Sequence, residues 1–137
     1  MTVTITLHEP APEALKTALH DGLSAAGQTL AAEEIPEFIL AVGAPMQAGC
    51  KGETTFRSLH ISELWVDESL RGQGIGSRLL EAAEELARQK GCIRVHLETR
   101  SEGARRLYER VGYRVFGELE DYDGTQSFYY LEKRLDA

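Results

Sequence analysis

Apolar and polar positions repeat with two different periods along this chain of 137 residues, and each period predicts one kind of element. Near-strict alternation, rich in β-branched and aromatic residues, predicts strands. The predicted strands cover Thr2–His8, Glu37–Val42, Met46–Phe56, Leu59–Val66, Cys92–Thr99, Tyr113–Leu119 and Ser127–Leu135.

A repeat of apolar side chains every three to four residues predicts helices. The predicted helices cover about residues 12–30, 75–90 and 101–112. Residues 31–34 either extend the first of them or form a short second helix. In chain order the elements are β-α-β-β-β-α-β-α-β-β, which predicts a mixed α/β fold with a central, partly antiparallel sheet. The length favours one domain over residues 1–137.

The formal net charge of −7 argues against a general nucleic-acid binder, because such a protein needs a basic face. An acidic surface attracts cations and fits a cationic amine substrate, but an acidic coat that favours solubility explains the charge as well. No apolar run reaches the roughly 18–20 residues of a membrane span, and the N-terminus lacks the pattern of a secretory signal. We therefore expect neither nucleic acid nor membrane as a partner.

Cys50 and Cys92 are the only cysteines. They form no Cys-x-x-Cys pair and no Cys/His cluster with metal-ligand spacing, so we expect no metal. Reduced thiols are the default in the cytoplasm, which is the location that we expect. Neither cysteine has the neighbours of a catalytic triad, which argues against a covalent acyl-enzyme.

Residues 71–76, with the sequence Arg-Gly-Gln-Gly-Ile-Gly, lie between a predicted strand and a predicted helix. Glycines allow close approach of a ligand to the backbone, and a helix N-terminus offers free N–H groups and partial positive charge. The combination predicts a cradle for phosphate or pyrophosphate. A dinucleotide fingerprint starting at Gly72 would need glycine where Ser77 stands, and the Gly-Lys-Ser/Thr end of a P-loop is absent.

This loop resembles the acyl-coenzyme A binding signature of the GNAT N-acetyltransferase superfamily, Q/R-x-x-G-x-G/A, with Arg71, Gly74 and Gly76 at its fixed positions. The segment from Ala104 to Tyr113 is similar to the family's A-x-x-L-Y-x-K-x-G-F/Y block. The resemblance extends over roughly residues 58–135. It implies a GNAT-like fold in which the fourth and fifth strands, at about 58–66 and 92–99, splay apart around the pantetheine arm.

The resemblance also implies acetyl-CoA as co-substrate and assigns residues to it. Backbone N–H groups from Arg71 to Ser77 would hold the pyrophosphate, and the backbone of Leu64 and Val66 would pair with the pantetheine and polarise the thioester carbonyl. Ser101 stands where many members have an asparagine that bonds the pantetheine. The implied coenzyme-binding residues are Leu64, Val66, Arg71, Gly72, Gln73, Gly74, Ile75, Gly76, Ser77, Ser101 and Tyr108.

Tyr108 matches the tyrosine that protonates the coenzyme thiolate in many members, and a phenol is protonated at neutral pH. Glu63 lies in the strand that meets the acetyl group and is the first candidate for the base that deprotonates the amine. Glu98, in the partner strand, is the second candidate. His60 and His96 also titrate near neutrality, although a lone strand histidine is more often structural.

The sequence thus predicts an N-acetyltransferase in which an amine acceptor attacks acetyl-CoA directly in a ternary complex. A small amine, an amino acid, an aminoglycoside-like compound and a protein amine all stay open as acceptors. The alternatives are a catalytically idle module that binds or senses coenzyme A, and an interaction protein that uses the fold as a scaffold. Apolar side chains on the final strands are compatible with a homodimer.

Overall fold

A computed structural model of the chain describes residues 2–30 and 35–136. It divides the chain into two compact units, Met1–Glu34 and Ile35–Ala137. The prediction of one domain over residues 1–137 stays a prediction, and the helix predicted at residues 31–34 lies outside the described residues. Among the helices that are described, none has the length and apolar character needed to cross a membrane.

The strand predicted at Thr2–His8 is wrong, because residues 2–8 have no regular secondary structure. The apolar side chains that alternate there are largely exposed: 72% for Val3, 93% for Ile5 and 80% for Leu7. Alternation stabilises a strand only when one face is buried and the backbone pairs with a neighbour. The fold therefore has the predicted order of elements without its first strand.

The first unit contains helix α1, Glu13–Ala25, which is shorter than the predicted helix over about 12–30. Pro12 precedes the helix, a position that suits its fixed φ and its missing N–H. The helix ends at Gly27, which has a φ of +71°. The N–H groups of Gly27 and Gln28 bond to carbonyls of the last turn, so the glycine ends the helix in a Schellman motif.

The second unit contains a six-stranded sheet and two α-helices, and each of these elements lies within two residues of its predicted bounds. The elements are β1 (Glu37–Val42), β2 (Ala48–Thr55), β3 (Ser58–Val66), α2 (Ile75–Gln89), β4 (Arg94–Thr99), α3 (Glu102–Arg110), β5 (Arg114–Leu119) and β6 (Phe128–Arg134). The strand order is β1-β2-β3-β4-β6-β5, and only the pair β3–β4 is parallel. The mixed α/β fold is therefore confirmed.

Helices α2 and α3 pack against one face of this sheet, called here the helix face. Alternate strand residues reach into the core on that face, and Leu59, Val95 and Leu131 are fully buried there against Leu80 of α2. The next residue along each strand points to the opposite face, because side chains alternate in a strand. The sheet thus presents two chemically different faces.

Strands β3 and β4 separate after a short contact, as the resemblance implied. Their pairing ends at His60↔His96, although both strands continue. Immediately beyond, Ser62 forms a bulge between β3 and β2, and a bulge bends its strand and increases its twist. Opposite the bulge, a Cβ on Gly52 would lie 2.0 Å from the carbonyl oxygen of His60, so only glycine fits there. The bulge directs the second half of β3 away from β4.

Candidate functional site

A cavity of about 920 Å³ lies next to the separated strands. Its walls come from the second half of β3, from the glycine loop with the first turn of α2, and from one side of α3. It is lined by every residue predicted to bind the coenzyme except Gln73, namely Leu64, Val66, Arg71, Gly72, Gly74, Ile75, Gly76, Ser77, Ser101 and Tyr108. Residues that the sequence predicted from two separate motifs therefore share one cavity.

The N-terminus of α2 is open towards this cavity. Gly74 is the N-cap residue, with a left-handed φ of +77° and no side chain to accept a hydrogen bond, and the first turn contains no acidic residue. The first helical hydrogen bond joins Arg78 N to Gly74 O at 3.1 Å. The N–H groups of residues 75–77 precede that bond, so the helix itself does not use them. With the partial positive charge of the helix end, they fit a phosphate group.

Arg71 is held at the mouth of the cavity by a bond to β3. Its Nε donates to the backbone carbonyl of Val66 at 3.1 Å, and the side chain is exposed. This bond engages Nε, and the guanidinium has two further nitrogens that suit a phosphate. The contact also uses a lone pair of one of the carbonyls that the resemblance assigned to the pantetheine.

Helix α3 supplies the opposite wall. Ser101 is its N-cap, and the Ser101 hydroxyl accepts a hydrogen bond from Ala104 N at 3.1 Å. One turn and more beyond, Tyr108 lines the cavity while being only 8% exposed. Burial raises the pKa of the Tyr108 phenol, so it stays protonated at neutral pH. The position fits a proton donor to a sulfur in the cavity.

Three predicted residues lie outside this cavity: Gln73 and the two candidate bases, Glu63 and Glu98. Gln73 is exposed, and its Nε2 donates to Ser69 O at 3.4 Å. Glu63 is exposed on the face of the sheet opposite the helices, where its register partner is Lys51. It lines a second, smaller cavity of about 320 Å³, and Trp65 lines both cavities.

The sequence analysis missed several residues that line the larger cavity. Most of them are on α3, and all except Arg110 are small or apolar: Trp65, Leu70, Gly103, Ala104, Leu107, Arg110 and Val111. The signal was the apolar spacing of Ala104, Leu107 and Val111, which sequence analysis alone cannot separate from ordinary core packing. Here that apolar side faces a cavity and not only the sheet.

A cluster of titratable side chains crosses three strands on the face opposite the helices. His60 bonds to Glu53 through Nδ1 and to Glu98 through Nε2, each at 2.6 Å. The His96 ring stacks on His60 with a centroid distance of 4.8 Å. One nitrogen or oxygen atom from each of His60, His96 and Glu98 lies within 4.8 Å of the other two, close enough for the three to hold a metal ion together. The spacing of these residues in the sequence did not indicate this proximity.

Comparison with known proteins agrees with this geometry. The model of the family described as Acetyltransferase (GNAT) family matches residues 11–113. An acetyltransferase of Agrobacterium fabrum is 42% identical over 87 residues, 64% of this chain and 64% of that protein. The blasticidin-S acetyltransferase of Streptomyces morookaense is 40% identical over 91 residues, 66% of this chain and 67% of that protein. The matches thus span about two thirds of these relatives.

The similarity extends to a solved structure. The crystal structure of an acetyltransferase from Bacillus cereus aligns with a TM-score of 0.79 and 32% identity. The alignment covers 95% of this chain and 98% of that chain. The likeness therefore extends over nearly the whole length of both chains.

Proposed function

The chain belongs to the GNAT acetyltransferase family of enzymes, and we propose that it transfers an acetyl group from acetyl-CoA to an amine acceptor. The observation that carries this proposal is the open N-terminus of α2 in the same cavity as Tyr108. The N-terminus of α2 can bind the pyrophosphate of coenzyme A, and Tyr108 can protonate its sulfur.

The reaction in this cavity is a direct attack in a ternary complex. The free amine attacks the thioester carbon, the C–N bond forms, and the C–S bond breaks with its electron pair on sulfur. Tyr108 gives its proton to the thiolate and regains one from the nitrogen through solvent. An amine that arrives as an ammonium ion must first lose a proton to a base, for which the sequence left Glu63 and Glu98 open. Cys50 is buried, and burial raises the pKa of its thiol to about 11, which disfavours a covalent route.

Acetyl-CoA titration by calorimetry, followed by a thiol-release assay over an amine panel, tests the proposal. The panel includes blasticidin S, because a relative named for that acceptor is 40% identical. We expect one-to-one binding and thiol release with one amine class. Binding without release by any amine would favour a coenzyme-binding module, and no binding would contradict the assignment of residues 71–76.

Replacing Tyr108 by phenylalanine separates chemistry from binding. We expect kcat to fall by about 100-fold or more, a typical contribution of a general acid, with an unchanged Kd for acetyl-CoA. Tyr113→Phe is the matched control, because the Tyr113 hydroxyl donates to Glu84 at 3.0 Å and does not line the cavity. An unchanged kcat in Tyr108→Phe, with a good acceptor, would remove Tyr108 from the acid role.

We also expect a cytoplasmic location and a homodimer. β5 is an edge strand, and Phe116 and Leu119 on it are 50% and 47% exposed. Pairing of two such edges would cover these side chains and the free backbone groups. Light scattering after size exclusion measures the mass directly, and a monomer mass at high concentration would contradict the dimer.

A further inference from the structure

Three side chains from three neighbouring strands form one hydrogen-bonded chain: Glu53 of β2, His60 of β3 and Glu98 of β4. An ionised carboxylate can only accept a hydrogen bond, and only an imidazolium donates from both nitrogens. With both carboxylates ionised, bonds of 2.6 Å on the two sides of the ring require His60 to donate from both nitrogens, as an imidazolium does. All three side chains are only partly exposed, at 24–28%.

The electrostatics of the two histidines differ. Burial lowers the pKa of His60, but its hydrogen bonds to Glu53 and Glu98 raise it, and the net shift is upward. Burial, and then the charge of His60, lower the pKa of His96. The charges of Glu98 and Glu53 raise the pKa of His96 and that of Arg94 lowers it, and the net shift is downward. Glu132 of β6 is the register partner of His96. The pKa values of the two stacked rings are thus shifted in opposite directions.

The position of Glu98 links this chain to the cavity. Pairing of β3 with β4 ends at His60↔His96, so Glu98 lies two residues beyond the point where the strands separate. Its neighbour Leu97 is buried in the core of the helix face, which places Glu98 on the opposite face. Tyr108 belongs to the helix face. The two side chains therefore lie on opposite faces of the sheet.

We propose that Glu98 is the carboxylate that receives the proton of the acceptor amine, and that His60 and Glu53 are positioning residues that fix its orientation near the point where the strands separate. This inference rests on the proposed acetyl transfer. Glu63, the other candidate, is exposed and faces Lys51 across the strands, and it lies by the second cavity. The amine thus enters from the face opposite Tyr108, while the sulfur leaves towards Tyr108.

The protons of the proposed transfer balance without any further reactant. An ammonium N–H gives its proton to a Glu98 oxygen, and the carboxylate becomes a neutral carboxyl group. His60 bonds Oε1 of Glu98, so Oε2 receives the proton. After attack and loss of the thiolate, Glu98 returns its proton to solvent. Net, one ammonium ion and acetyl-CoA give the amide, coenzyme A and one proton.

Steady-state kinetics of Glu98→Gln, with Glu63→Gln as matched control, test the catalytic role. With the best acceptor of the panel, we expect Glu98→Gln to lower kcat by about 100-fold or more, and Glu63→Gln to stay within about twofold. An unchanged acetyl-CoA Kd shows that the variant is folded. Normal kcat in Glu98→Gln would overturn the inference while wild-type turnover keeps the proposed function. Absence of coenzyme binding and turnover in the wild type would instead refute the proposed function.

The pH profile of kcat/KM tests the positioning role. In His60→Gln the carboxylate loses a neighbouring positive charge, so we expect the acid limb to move to higher pH, whereas His96→Gln leaves it in place. A loss of activity at every pH without movement of that limb would indicate a merely structural His60. Tight one-to-one Zn²⁺ binding to the wild type, lost in His96→Gln, would also overturn the inference, because a metal would replace the His60 proton.

Stability gives a readout that needs no substrate. Because the folded-state pKa of His60 is raised above its ordinary value, its contribution is fully present below about pH 6.5 and is lost as pH rises through the folded pKa. The stability difference between wild type and His60→Gln should therefore be largest near pH 6 and shrink at higher pH. NMR titration should show an upward-shifted His60 that moves back in Glu53→Gln. A His60 pKa at or below its ordinary value would overturn the inference.

Discussion

Two helix N-termini border the same cavity, and the sequence builds them in opposite ways. Helix α3 satisfies its own first turn: Ser101 caps it through Ala104 N, and Glu102 places a negative charge there. Helix α2 begins at Gly74, which has no side chain to cap it, and has no acidic residue in its first turn. Helix α3 thus supplies its own negative charge and hydrogen-bond acceptor, whereas α2 leaves both to a ligand.

The difference shows how a site can be recognised by what a helix omits. A glycine N-cap lowers the stability of a helix by only about a few tenths of a kcal/mol relative to a serine or asparagine cap. In α2 the long apolar face that packs on the sheet offsets this cost, because Leu80, Ala83 and Ala87 are fully buried. Helix α3 is shorter and buries only Tyr108, so it depends more on its cap.

The first prediction places in the first turn of α2 a negative charge like that of Glu102 in α3. In Ser77→Glu a carboxylate would stand in the first turn, where it can interact with the free N–H groups and repel a phosphate. We expect the Kd for acetyl-CoA to rise about thirtyfold, equivalent to about 2 kcal/mol, while the melting temperature stays the same or rises slightly.

Ser77→Gln is the neutral control of nearly the same size, and we expect a Kd within about threefold of wild type. Calorimetric titration of both variants at low salt measures the difference. Equal losses of affinity in the two variants would mean that bulk and not charge disturbs binding, and would refute the anion site at this helix end.

The second prediction concerns the backbone that keeps the α2 end open. Gly74 has a φ of +77°, and a Cβ there would meet no atom within 4 Å. Alanine would fit in space but would be strained, so we expect Gly74→Ala to lower the free energy of unfolding by about 1–2 kcal/mol. Equilibrium unfolding in urea measures this change in the free energy of unfolding.

Gly76→Ala is the control, because Gly76 lies inside the helix and a Cβ added there would lie at ordinary contact distances of 3.9 Å from Leu107 and Val66. Alanine there should leave stability unchanged or raise it, since alanine is the better helix former. The same Cβ extends between two side chains of the cavity wall, so the acetyl-CoA Kd should rise instead. Equal stability of the two variants would contradict the need for a left-handed cap.

The sequence predicted those parts of the molecule that depend on local patterns. The glycine loop, the open N-terminus of α2 and Tyr108 follow from residues close together in the chain, and the strands and helices of residues 37–134 follow from their periods. The prediction of a strand at Thr2–His8 was wrong because the alternating apolar side chains are there but nothing buries them. A period shows which side chains share a face and cannot show whether anything covers that face.

Pairings across strands were beyond local patterns. His60 bonds residues 7 and 38 positions away in the chain, and it does so because of the register of two different strand pairs. That register includes the bulge at Ser62 and the close approach at Gly52. A glycine within a strand often marks an irregularity, but the residues that Gly52 and the bulge bring together can be identified only from the folded sheet.

The smallest effect is expected at the closed helix end, and it decides what Ser101 does. If Ser101 is mainly the cap of α3, Ser101→Ala should lower the free energy of unfolding by about 1 kcal/mol and leave the acetyl-CoA Kd within about twofold. Ser101→Asn should restore the stability, because asparagine is also a good N-cap. A Kd that rises in Ser101→Ala without loss of stability would show that the hydroxyl serves the ligand. In that case a ligand would bind at both helix N-termini, and the two would differ only in the charge of their first turn.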